Sequence, residues 1–75
     1  DRQSLYNLGV ALCSQGKCRE GVKRLLDADK ADPGKAPVLQ AIASAYRSLG
    51  NRREAANWEK RAQEASAAQG KGGGP

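Results

Sequence analysis

The chain has 75 residues and a formal net charge of +5, with two cysteines and no histidine, phenylalanine or methionine. A chain of this length holds one small domain, whose core supplies only about 3–5 kcal/mol without an added staple. No apolar run approaches the ~18 residues of a membrane span, two thiols cannot complete a four-ligand zinc site, and no side chain is a ready general base near neutrality.

Leu5, Leu8, Val10, Ala11 and Leu12 recur at helical spacing and predict a first helix over about 3–15, ended by Gly16. Val22, Leu25, Leu26 and Ala28 carry a second helix to about Ala31, where Asp32-Pro33-Gly34 stops it. Pro37 suits the first turn of a third helix, whose apolar face is Leu39, Ile42, Ala43, Tyr46 and Leu49 and whose end is Gly50. Asn51 with Glu54 three residues on has capping-box spacing for a fourth helix, continued by Ala55, Ala56, Trp58, Ala62 and Ala65. From residue 68 the composition predicts a flexible, Gly-rich tail over 68–75. There is no starting Met and no signal-type apolar run, which reads as a processed or excised segment.

The four helices are two versions of one unit. Shifting the chain by 34 residues superposes Gly16-Lys17-Cys18-Arg19-Glu20-Gly21 on Gly50-Asn51-Arg52-Arg53-Glu54-Ala55, and pairs Leu5 with Leu39, Ala11 with Ala45, Ser14 with Ser48 and Ala28 with Ala62. Leu8 then falls on Ile42, Gly9 on Ala43 and Leu12 on Tyr46. A fixed period of this size marks units that cannot bury their apolar faces alone. The expected fold is all-α: two helix–turn–helix hairpins, four antiparallel helices, with repeat one at 2–35 and repeat two at 36–67.

This pattern resembles the tetratricopeptide repeat. Repeat one presents Leu5, Leu8-Gly9, Leu12, Gly21, Leu25, Ala28 and Pro33 at that family's signature positions, and repeat two presents Leu39, Ile42-Ala43, Tyr46, Ala55, Ala62 and Ala67. Glu59 and Gln63 depart from it, standing where apolar side chains are usual and making the outer side of the last helix polar, as a terminal repeat requires. The resemblance implies a short right-handed α-solenoid acting as a protein–protein interaction module, a scaffold or adaptor, with no bond chemistry, no cofactor and no metal. It also implies a concave groove lined by the first helix of each unit. Carried onto this chain, the groove residues are Gln3, Tyr6, Asn7, Val10, Cys13 and Ser14, then Gln40, Ala41, Ser44, Arg47 and Ser48. Asn7 matches a position that helps hold a peptide carboxylate in chaperone-binding members, but Tyr6 and Val10 replace the clamp lysine and asparagine of repeat one.

Charge adds a sign to that groove. Apart from Asp1, all acids lie in the second and fourth helices or the turn that follows the second, leaving Arg47, with Lys17 and Lys35 at the edges, to face an acidic or C-terminal peptide segment. Tyr6 is the aromatic expected to be exposed for recognition, Tyr46 is expected in the core, and Trp58 between the second and fourth helices. The alternatives are homo-oligomerisation and weak nucleic-acid or polyanion binding through Arg19, Lys23, Arg24, Arg52, Arg53, Lys60 and Arg61. Glu20, Asp27, Glu54, Glu59 and Glu64 interrupt those bases, and no stacking platform accompanies them, which disfavours nucleic acid. Cys13 and Cys18 fit either two free thiols, in a cytoplasmic protein, or a disulfide, in a periplasmic or secreted one.

Overall fold

The computed structural model describes residues 1–73, with side-chain surroundings through residue 68. Four helices follow one another: α1 (Arg2–Ser14), α2 (Cys18–Ala31), α3 (Ala36–Ser48) and α4 (Arg52–Gly73). No strand occurs among the described residues, so the fold is all-α. The hairpin α1–α2 packs on the hairpin α3–α4 chiefly through α2 and α3, and α1 touches α3. No described helix is long and apolar enough to cross a membrane.

The turns within both hairpins are built alike, for a local reason. Gly16 and Gly50 take φ of 83° and 80°, the left-handed region that a side chain makes costly. In the first turn the Gly16 N–H donates to the Cys13 carbonyl at 3.0 Å and the Lys17 N–H to the Leu12 carbonyl at 2.8 Å. In the second, the Gly50 N–H donates to the Arg47 carbonyl at 3.0 Å and the Asn51 N–H to the Tyr46 carbonyl at 2.9 Å. Each is a Schellman closure, which satisfies the last carbonyls of α1 and α3 and reverses the chain within two residues.

That closure alters the start of α4. The Asn51 side-chain oxygen accepts from the Glu54 N–H at 3.3 Å, half of the capping box expected from the sequence. The other half would need the Asn51 N–H, which the Tyr46 carbonyl has already taken. α1 is capped by Asp1, whose carboxylate accepts from the Ser4 N–H at 2.8 Å. In the turn between α2 and α3, Asp29 accepts from the Gly34 N–H at 3.1 Å. The flexible tail expected at 68–75 overlaps α4, which runs to Gly73, and 74 and 75 lie outside the described residues.

The core is the α2–α3 seam. Val22, Leu25 and Ala28 of α2 interlock with Val38, Ile42 and Ala45 of α3, and Leu5, Tyr6, Leu26, Tyr46 and Trp58 cover the edges. Each hairpin has its own crossing point. α1 and α2 meet at Gly9 and Gly21, where a Cβ added to Gly21 would stand 2.6 Å from the Gly9 carbonyl oxygen. α3 and α4 carry Ala43 and Ala55 at the equivalent positions, both buried. Two glycines let the first pair of backbones approach closer than any side chain would permit.

Candidate functional site

Two equivalent rows of side chains face each other across the seam between α1 and α3. Tyr6, Val10 and Ser14 recur every four residues along α1, and Gln40, Ser44 and Ser48 do so along α3. Residues four apart lie on one helix face, so each row runs nearly parallel to its axis. A shift of 34 residues carries the first row onto the second. Between them lies an open cleft of about 540 Å³, completed by Cys13, Ala41 and Ala45 and floored by Leu25 of α2, which is 1 % exposed.

Every side chain lining this cleft is uncharged. The aliphatic contribution comes from Val10, which is 42 % exposed, and from Leu25 beneath it. Hydrogen-bonding capacity comes from Gln40, Ser44, Ser48 and the Tyr6 phenol. The Ser14 hydroxyl is already engaged, donating to the Val10 carbonyl at 3.1 Å.

The structure sorts the residues expected in the groove into those that line this cleft and those that do not. Tyr6, Val10, Cys13, Ser14, Gln40, Ala41, Ser44 and Ser48 are brought together. Gln3 and Asn7 are not in its lining and instead bond to each other one helical turn apart, the Gln3 amide donating to the Asn7 oxygen at 3.3 Å. Arg47 also lies outside it. Its guanidinium pairs with the Glu59 carboxylate of α4, and it lines two smaller clefts between α3 and α4, of about 220 and 310 Å³. The pairing was hidden because Glu59 and Arg47 are 12 residues apart and meet only when the hairpin closes.

The aromatic residues divide differently from the sequence expectation. Tyr6, expected to be exposed, is half-buried, for it packs against the α2–α3 core while also lining the cleft. Tyr46, expected in the core, is also half-buried and packs at its edge. Trp58 is half-buried against the core, and the Arg61 guanidinium lies 4.6 Å from its ring centroid. A further cleft of about 460 Å³ joins Trp58 to Lys23, Arg24, Leu26, Asp27, Asp29 and Lys30 of α2, with Arg24 paired to Asp27 at 3.5 Å.

Sequence reasoning missed Leu25 as the groove floor and Ala45 as part of its wall. Their helical spacing marks them as apolar, and only the approach of a third helix shows that one edge of each remains in reach of the cleft. Cys13 and Cys18 are joined by a disulfide that ties the last turn of α1 to the first residue of α2. Among the described residues, no three His, Cys, Asp or Glu side chains are grouped so as to hold a metal ion. Compared with known family models, curated proteins and solved structures, the chain matches none.

Proposed function

We propose that this chain is a peptide-binding module of the tetratricopeptide type, a scaffold or adaptor that works by docking and carries out no bond chemistry. The observation that supports this reading most is the cleft between α1 and α3, with its two equivalent rows and its uncharged, partly apolar lining. Each row spans nine residues of helix, eight steps of 1.5 Å or about 12 Å. An extended peptide rises about 3.3 Å per residue, so roughly four ligand residues fit between the rows. Gln40, Ser44 and Ser48 are suited to the peptide's backbone amides, and Val10 to one apolar side chain of the ligand.

This geometry refines the expected preference for acidic segments. The direct contacts are neutral, and the charge of Arg47 is already offset by Glu59, which weakens its pull on a ligand carboxylate. Acidic character then acts mainly through the net charge of +5, raising the rate of encounter more than the strength of the complex.

The test is an amide NMR titration of the intact chain with acidic and neutral four- to six-residue peptides at physiological salt. Shifts are expected on Tyr6, Val10, Gln40, Ser44 and Ser48, and the double variant Gln40→Ala/Ser44→Ala is expected to weaken binding at least tenfold with helicity unchanged. Shifts confined to Lys23, Lys30 and Arg61 that vanish with added salt would replace this reading with loose polyanion binding.

A further inference from the structure

The uncharged cleft between α1 and α3 has a charged counterpart on the other two helices. α4 packs on α3 and not on α2, so a groove is left between α2 and α4. About 460 Å³ of it lies around Leu26 and Trp58, the only tryptophan of the chain. Both side chains are half-buried and pack on the core, forming a floor that still shows apolar surface to water. No residue of this groove lines the α1–α3 cleft.

The rim has a definite sign. Lys23 and Lys30 stand two turns apart on one face of α2, about 10.5 Å along the axis, with Leu26 between them. Both are exposed, and neither belongs to an ion pair among the described residues. The two carboxylates of the groove are engaged: Asp27 pairs with Arg24 at 3.5 Å, and Asp29 accepts from the Gly34 N–H at 3.1 Å. Arg61 adds a fourth cation, 4.6 Å from the Trp58 ring centroid. Four cations against two carboxylates leave the groove a net charge of +2.

We propose that this groove is a second docking surface, for a segment of a partner protein in which carboxylates flank one aliphatic side chain. The aliphatic group covers Leu26 and Trp58, and the carboxylates meet Lys23 and Lys30. Charge complementarity selects this occupant, and burial of the apolar floor holds it where salt screens charge alone. A second copy of the chain, at +5, brings the wrong sign. Nucleic acid fits less well, because Arg61 already takes the place over the ring where a base would stack.

The test is a fluorescence titration of the intact chain, in which Trp58 alone reports. The probe is the blocked peptide Glu-Glu-Leu-Glu-Glu at physiological salt. It is expected to shift the Trp58 emission saturably, with a Kd about fivefold or more below that of Glu-Glu-Ser-Glu-Glu. Lys23→Gln/Lys30→Gln, two exposed changes that leave the core alone, is expected to weaken binding about tenfold. An absent shift, an equal response to the serine peptide or to an oligothymidylate of the same charge, or binding that survives the double variant would overturn the proposal. Amide shifts on Tyr6, Gln40 and Ser44 read the other cleft separately. If the probe moves those and leaves Trp58 unchanged, this groove fails while the α1–α3 reading stands.

Discussion

The two hairpins share a turn, a helix length on the inner side and a period, yet they are held together differently. The first brings α1 and α2 together at Gly9 and Gly21 and locks them with the Cys13–Cys18 disulfide. The second keeps Ala43 and Ala55 at its crossing and adds the Arg47–Glu59 ion pair. Position in the stack gives the physical reason. α3 is packed on one side by α2 and on the other by α4, so it buries Ala36, Val38, Leu39, Ile42, Ala43 and Ala45. α1 lacks a helix on its outer side and fully buries only Gly9. α1, which gains little from side-chain burial, is thus held to α2 by close backbone approach and a covalent link, whereas α3 is also held by the core it shares with α2.

The sharpest way to break this comparison is to truncate the same position in both units. Ile42→Ala is expected to cost about 3 kcal/mol, the usual scale for deleting a fully buried aliphatic side chain. Leu8→Ala is expected to cost less than about 1 kcal/mol, because nearly half of that side chain is already in water. Urea denaturation of the two variants measures the difference directly, and equal costs would mean that α1 is covered in solution.

The crossing points give the next largest effect. Helix propensity alone favours Gly21→Ala by about 1 kcal/mol. The new methyl group would nevertheless meet the Gly9 carbonyl at 2.6 Å, a backbone atom that cannot swing aside. Overpacking of this kind costs about 1–3 kcal/mol, so a net loss of stability is expected. The reverse change in the other hairpin, Ala55→Gly, is expected to cost about 2 kcal/mol, about half from helix propensity and half from the lost burial of its methyl group, with no steric clash. If Gly21→Ala stabilises the chain instead, the hairpin is looser than its geometry indicates.

The last test concerns the covalent link. A disulfide closing a loop this short removes about 2 kcal/mol of unfolded-chain entropy by the loop-closure model, and the Schellman turn beneath it already restrains the same ends. Reduction is therefore expected to lower stability by about 2 kcal/mol or less while leaving helicity intact, read from denaturation midpoints with and without a thiol reductant. A collapse of the whole circular-dichroism signal would show that the first hairpin depends on the bridge alone.

Much of this architecture was legible in the residues. Gly16 and Gly50 announced both turns, because a left-handed closure is a property of five or six adjacent residues and depends on nothing farther away. The spacing of Leu25, Ala28, Leu39 and Ile42 announced the core faces, since 3.6-residue periodicity records which side of a helix is dry. Tertiary structure decided what those faces meet. It turned Arg47 from a free cation into the partner of Glu59, left Gln3 and Asn7 bonded to each other outside the cleft, half-buried Tyr6, and exposed Leu8 while enclosing its counterpart Ile42. Apart from the Gln3–Asn7 bond, which is local to α1, each of these depends on how closely another helix approaches. The two hairpins share a sequence pattern, and at positions such as Leu8 and Ile42 it is their different neighbours in space that decide which side chain meets water.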